Sequence, residues 1–302
     1  MVADTVFQKN LGSTWNAENG SAMVIVEPGY RAGMLAADWA DGKQPVLTLV
    51  SRFATRDYSV DPGSRPASVA APYDLRTYVR PTELLPTDGI VRSTADDIVK
   101  GVKTDVNKAR AIYAWVVENT FRDPKTRGCG VGDVKTMLES KSMGGKCADI
   151  NGAFVALARA AGVPARDVYG VRVADSLRGY KSLGKSGNIT KAQHCRAEFH
   201  ASGIGWVPVD PGDVRKVALE EEPGGLPLSH EKVHKAREYL FGNWEMNWLA
   251  YNTAHDVALP KSSRKPVSYL MYPQCETADG RLDSLDPDNF RYEVTARELT
   301  ST

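Results

Sequence analysis

The residues Gly144-Gly145-Lys146-Cys147-Ala148-Asp149 open the segment GGKCADINGAFVALARAAGVP (144–164), which decides the fold. Behind the two glycines, apolar residues recur at intervals of three and four positions, as on one face of an amphipathic helix: Ile150, Phe154, Leu157 and Ala161. Gly162 and Pro164 are typical helix terminators. The sequence therefore predicts a helix that begins at Cys147.

The position of Cys147 at the start of this helix indicates chemistry. The helix dipole and the unpaired backbone N–H groups at a helix start stabilise a thiolate, so the pKa of such a cysteine falls below about 8.5. The same N–H groups can stabilise an oxyanion, and glycines allow a substrate to approach the backbone closely. Cys147 is therefore a candidate nucleophile, although a buried structural cysteine is the commoner role for this residue type.

Two later strands carry candidate partners for the thiolate. Residues 195–199 alternate between apolar and polar, and residues 206–210 are typical of the returning strand. If His194 and Asp210 face one another, the turn is centred at Ser202 and both side chains lie on one face of the sheet. A carboxylate in that position can orient the imidazole and stabilise its cation. The alternative is an exposed histidine and an aspartate that only ends a strand.

Strand and helix signals divide the chain into two predicted domains. Short apolar runs broken by turn residues predict an N-terminal β-rich domain over residues 1–80, and residues 60–72 have the composition of a linker. In the second domain, residues 81–302, a capping pattern at 93–96 is expected to precede a helix. Further helices are predicted over 106–120 and 230–241, and strands over 168–173 and 267–271. The predicted class is α+β.

Together these segments resemble the transglutaminase-like superfamily, which shares the papain-like arrangement of its nucleophile. The resemblance covers residues 82–220 best and is carried by four ordered motifs: GKCAD (145–149), LARAAGVPAR (157–166), HCRAEF (194–199) and GWVPVDP (205–211). The segment ARAIYAWV (109–116) is also similar to the helix that usually precedes the cysteine in this family. It implies a papain-like transglutaminase core, in which helices pack on an antiparallel sheet, and a catalytic triad of Cys147, His194 and Asp210.

The resemblance also implies cysteine-dependent acyl transfer on amide bonds through an acyl-thioester. We expect release of the acyl group to water, as in a cysteine protease or amidase, because nothing in the sequence indicates an amine site. Transamidation and a catalytically silent binding module that keeps the fold are the alternatives. Arg196 stands where the family usually carries an aromatic residue, which suggests a more polar or anionic ligand in the substrate channel.

Two sets of residues are candidate zinc ligands, and a zinc site would be the alternative to a cysteine nucleophile. His230 and His234 with Glu231 match the HExxH pattern of zinc proteases, but the motif falls in the first turn of a charged helix. A second candidate set combines three cysteines with a histidine: Cys129, Cys147, His194 and Cys195. Neighbouring residues of a strand point to opposite faces, which disfavours this set. We therefore assign no metal and no cofactor.

Composition narrows the class of partner. The 302 residues carry 38 Lys and Arg against 37 Asp and Glu, a net charge of +1, which argues against a nucleic-acid partner. No apolar run approaches the roughly 20 residues of a membrane segment, and the first residues lack a signal-peptide pattern. We expect a peptide or protein substrate, with a cell-wall peptide as one option. The sequence is compatible with two locations: the cytoplasm, or export followed by removal of a signal peptide.

Overall fold

The computed structural model describes residues 1–63 and 75–299. Of the predicted linker over 60–72, the part after residue 63 lies outside this description. The α-helices in the described ranges are α1 (Gly89–Ile98), α2 (Asp105–Asn119), α3 (Val134–Ser140), α4 (Cys147–Ala160), α5 (Pro211–Glu220) and α6 (Glu231–Tyr239). Two short 3-10 helices span Leu75–Val79 and Lys181–Leu183. None of these helices is long and apolar enough to cross a lipid bilayer.

The central sheet is antiparallel, and four strands form it in the spatial order β11 (Gly205–Val209), β10 (Gln193–Ala201), β8 (Ala165–Arg172) and β13 (Trp248–Asn252). The other strands of the described ranges form pairs: β1 (Gln8–Glu18) with β4 (Val46–Thr55), β2 (Gly20–Val26) with β3 (Gly33–Trp39), β5 (Tyr58–Ser59) with β12 (Asn243–Trp244), β6 (Phe121–Arg122) with β7 (Gly144–Gly145), β9 (Gly187–Asn188) with β16 (Thr295–Ala296), and β14 (His255–Val257) with β15 (Val267–Tyr269).

Helix α4 lies at the centre of the core. It contacts strands β8 and β10 and helices α1, α2, α3 and α5, and all of its residues except Asp149 are buried. The predicted start at Cys147 is correct, but the helix is enclosed on all sides rather than along one face. Its polar residues find partners in the interior, as where Arg159 Nε donates to the carbonyl of Ala165 at 2.8 Å. Most buried polar groups in proteins are hydrogen-bonded in this way.

The helix predictions differ in accuracy. Helices α2 and α6 form where they were predicted, over 106–120 and 230–241. The predicted cap at 93–96 is wrong, because these residues lie inside α1. The side chain of Thr104 instead caps α2 and accepts a hydrogen bond from the backbone N–H of Asn107 at 3.2 Å. The combination of helices with an antiparallel sheet confirms the α+β class.

The N-terminal strands form two antiparallel ribbons, β1 with β4 and β2 with β3. The side chain of Gln8 joins the first ribbon to strand β13, because its Nε2 donates to the carbonyl of Ala250 at 3.2 Å and its Oε1 accepts from the N–H of Ala250 at 2.9 Å. The Phe7 ring lies edge-on to Trp244, with a centroid separation of 5.6 Å. The first 63 residues are thus rich in strands, and a domain boundary near residue 80 stays a prediction.

The cap at Thr104 can be tested by substitution. We expect Thr104→Ala to lower the free energy of unfolding by about 1 kcal/mol, because an N–H group at the start of α2 loses its acceptor. Thr104→Ser keeps the hydroxyl and is expected to change the free energy by a few tenths of that amount at most. Urea denaturation measures both. Equal losses for the two variants would contradict the assignment of the cap.

Candidate active site

The start of helix α4 is fixed by the carboxylate of Asp149. One oxygen accepts from the N–H of Lys146 at 2.9 Å, and the other accepts from Val131 N at 3.1 Å and Gly132 N at 2.8 Å. A Cβ atom at Gly145 would overlap the side chain of Asp149. The absence of a side chain at Gly145 therefore allows β7 to lie close to Asp149, and the approach of a substrate to these glycines stays a prediction.

Cys147 lies in a pocket of thiols at this helix start. Its side chain is 3 % exposed and packs with Cys129, Cys195 and Tyr169. Hydrogen bonds from Cys129 and Cys195, together with the hydrogen bond and positive charge of His194, hold the pKa of Cys147 well below its usual value, although burial opposes this. The neighbouring thiols and His194 therefore favour the thiolate form of Cys147.

His194 and Asp210 are in contact. His194 Nε2 lies 2.7 Å from Asp210 Oδ2, and both side chains are buried. Strands β10 and β11 pair Ala197 with Val209, which centres their turn at Gly203, one residue after the predicted centre. Burial lowers the pKa of His194, but the charges of Asp213 and Asp210 outweigh it and raise this pKa to about 10. The imidazole is therefore protonated beside the thiolate.

Asn151 links the helix of Cys147 to Asp210. It lies one helical turn after Cys147, and its Nδ2 donates to Asp210 Oδ1 at 3.1 Å and to the carbonyl of Cys195 at 2.8 Å. Its Oδ1 accepts from the N–H of Gly212 at 3.1 Å. Asn151 was not among the site residues predicted from the sequence. A polar side chain four positions after the candidate nucleophile was the available signal, because such residues share a helix face.

A second missed residue is Asp213, in the first turn of α5. Its Oδ1 lies 3.3 Å from His194 Nε2 and 2.5 Å from an Arg172 nitrogen. Asp210 caps the same helix, because its side chain accepts from the N–H of Asp213 at 2.9 Å. The spacing of two aspartates at a helix start was the sequence signal. The structure thus gives His194 two carboxylate neighbours where the sequence analysis named one.

The Arg196 side chain is buried beside Asp210. Its side chain is 2 % exposed, and its guanidinium lies over the Trp248 ring at 4.8 Å from the centroid. One nitrogen donates to the carbonyl of Glu245 at 2.9 Å, and Nε lies 3.6 Å from Asp210 Oδ2. The more polar or anionic ligand suggested by Arg196 stays a prediction, and the positive charge of this residue faces the interior and Asp210.

The two zinc sets differ from the ligand geometry of a metal site. His230 caps α6 by accepting from the N–H of Lys232 at 3.2 Å, while His234 is exposed and lies 3.6 Å from Glu238. Within the described ranges, one group brings three ligand-type atoms within 4.8 Å of one another, and it consists of His194, Asp210 and Asp213. Neither HExxH nor the cysteine set satisfies this geometry in the described residues.

The thiolate can be tested by alkylation with iodoacetamide at pH 6, followed by peptide mass spectrometry. We expect Cys147 to react at least about tenfold faster than Cys275, because the pKa of Cys147 is lowered and burial raises that of Cys275. His194→Gln removes the positive charge and is expected to abolish this advantage at pH 6. Faster labelling of Cys275 in the unsubstituted protein would contradict the assignment.

The HExxH segment can be tested by thermal unfolding. We expect His234→Ala to change the free energy of unfolding by less than about 0.5 kcal/mol, because the exposed pair with Glu238 contributes little. The chelator 1,10-phenanthroline is expected to leave the Tm unchanged. A Tm that falls with chelator, and a smaller fall in the His234→Ala variant, would indicate a bound metal that stabilises the fold.

Comparisons with known proteins agree with this architecture. Residues 92–211 match the sequence profile of the Transglutaminase-like superfamily. An uncharacterized protein from Haemophilus influenzae is 36% identical over 296 residues, which span 92% of this chain and 79% of that protein.

One solved structure shows the same fold, and a second aligns less well. The crystal structure of a candidate cysteine protease from Cytophaga hutchinsonii aligns with a TM-score of 0.52 at 15% identity, over 89% of this chain and 86% of that one. The periplasmic domain of TgpA from Pseudomonas aeruginosa aligns with a TM-score of 0.37 at 18% identity, over 76% and 68% of the two chains. A fold of this kind supports cysteine-dependent activity in general. The chain belongs to the transglutaminase-like superfamily.

Proposed function

We propose that the protein hydrolyses a peptide or amide bond through an acyl-thioester on Cys147, with His194 as the proton carrier and Asp210 as the residue that orients it. The observation that carries this proposal is the contact of one imidazole with both partners. His194 Nε2 is bound to Asp210 at 2.7 Å, and His194 contributes a hydrogen bond and a positive charge to the Cys147 thiolate. Nδ1 is then the ring nitrogen available to the sulfur.

The first half of the proposed reaction forms the acyl-enzyme. The Cys147 sulfur attacks the carbonyl carbon, and the negative charge moves to the carbonyl oxygen. The backbone N–H of Cys147 lies in the first helical turn, where N–H groups lack intrahelical acceptors, so it is the proposed donor to this oxyanion. The imidazolium of His194 gives its proton to the leaving amine, the C–N bond breaks, and the thioester remains.

The second half releases the acyl group. The imidazole of His194, now neutral, accepts a proton from water while the oxygen of this water attacks the thioester carbon. The C–S bond breaks, the acid product leaves, and the thiolate and imidazolium are restored. Asp210 keeps the ring in place through both halves, because its Oδ1 is fixed by Asn151 and by the backbone of Asp213.

Two alternatives share this site. In transamidation an amine replaces water in the second half, and nothing in the residues around His194 favours an amine over water. In a binding module the site would be silent, but a lowered thiol pKa beside a protonated imidazole favours reactivity. We therefore place hydrolysis of a protein or peptide substrate first.

The activated ester p-nitrophenyl acetate tests the chemistry without a known substrate. We expect a burst of p-nitrophenol, an acetyl group on Cys147 and slow release of acetate. Cys147→Ala is expected to lose activity by at least about a thousandfold. Cys275→Ala is the matched control, since Cys275 is a cysteine outside the site, and should stay within about twofold of the unsubstituted protein.

Primary amine added to the same assay separates water from amine. For a hydrolase, putrescine leaves acetate as the main product, and for a transamidase acetylputrescine replaces it. The same comparison can be made with casein as the substrate. Hydrolysis then produces new amino termini, whereas transamidation incorporates the added amine. Acetylation at a residue other than Cys147, or full activity of Cys147→Ala, would refute the nucleophile.

A further inference from the structure

We propose that Asp213 is a positioning residue for the reaction, a second carboxylate partner that supplies the charge which keeps the imidazolium of His194 protonated, while Asp210 fixes the orientation of the ring. This inference rests on the proposed function, because it assigns Asp213 a role in the pair formed by Cys147 and His194.

The distances give both carboxylates access to the same ring nitrogen. His194 Nε2 lies 2.7 Å from Asp210 Oδ2 and 3.3 Å from Asp213 Oδ1. The ring N–H can therefore be directed to Asp210 while the negative charge of Asp213 stays close. Asp213 is 1 % exposed, so water does not screen this interaction.

Arg172 holds Asp213 in place and ionised. Its guanidinium is enclosed between two acceptors, the carbonyl of Leu183 at 2.7 Å and Asp213 Oδ1 at 2.5 Å. Burial raises the pKa of Asp213, but Arg172 and His194 outweigh it and hold this pKa well below its usual value. By contrast, burial and the charge of Asp213 raise the pKa of Asp210. Of the two carboxylates, Asp213 is therefore the one that is firmly ionised.

The balance of buried charges around His194 explains why Asp213 keeps this residue protonated. The ionisable groups that act on His194 or contact it and its partners include the anions Cys147, Asp210 and Asp213, the cations His194, Arg172 and Arg196, and the thiols of Cys129 and Cys195. Lys216 and Tyr113 also interact with Asp213. With Asp213 ionised, three negative groups balance three positive ones. Without it the cluster has an excess of positive charge, and loss of the proton from His194 is the least costly way to remove it.

The alternative role for Asp213 is structural, as a partner of Arg172 that joins α5 to strand β8. A structural role predicts a less stable protein with the same dependence of thiol reactivity on pH. A positioning role predicts a change in that dependence. The two are distinguished by measuring the alkylation rate of Cys147 with iodoacetamide from pH 4 to 10, which requires no substrate.

The alkaline limb is the part of the pH profile of Cys147 alkylation in which His194 loses its proton. We expect Asp213→Asn to shift this limb to lower pH by about one pH unit or more. Asp213→Glu keeps the charge and should restore the limb most of the way. Glu198→Gln is the matched control, because it neutralises another buried carboxylate paired with an arginine, Arg166, and should not move the limb.

Loss of one partner from a buried ion pair can unfold a protein. Should Asp213→Asn fail to fold, the double variant Arg172→Gln with Asp213→Asn removes both charges, and we expect a smaller shift in the same direction because Arg172 opposes Asp213 at His194. An alkaline limb that stays in place in every folded Asp213 variant would overturn the inference. Alkylation of Cys147 in the unsubstituted protein at the slow rate of an ordinary, unactivated cysteine would instead overturn the proposed function.

Discussion

The structure depends on keeping ionised groups apart from water in the middle of an apolar core. A buried thiolate is unstable unless a cation lies beside it, and a buried imidazolium needs anions of its own. His194 supplies the positive charge beside Cys147, and Asp210 supplies a carboxylate beside His194. Each of the three residues is fixed by a different element. Contacts in the surrounding fold hold these three side chains close to one another.

Helix α4 serves both as the centre of the core and as the support of the site. It supplies Cys147 at its first residue and Asn151 one turn later, so any shift of the helix would move the proposed nucleophile and the partner of Asp210 together. Burial of the helix on all sides resists such a shift, because closely packed interiors deform little. Stability of the core and geometry of the site therefore have the same physical origin.

The loop over residues 129–132, which precedes α3, is held against the start of α4 from two directions. Asp149 binds its backbone from the helix side, at Val131 and Gly132. From the C-terminal region, Tyr269 donates to the carbonyl of Gly130 at 2.6 Å, and the hydroxyl of Tyr272 accepts from the N–H of Cys129 at 2.9 Å. Residues that are far apart in the chain thus enclose the thiol, and they explain why Cys147 is buried although it begins a helix.

The sequence by itself determined the helix that begins at Cys147, the pair of strands that carries His194 and Asp210, and the superfamily, because helical spacing, strand alternation and short motifs are local properties of the chain. Only the tertiary structure decided that Arg196 faces inward, that α4 is buried on every side, and that Asn151, Arg172 and Asp213 join the site. These contacts connect residues from separate elements. Charge and hydrogen-bond partners in a core depend on which elements pack together, and no local pattern encodes that.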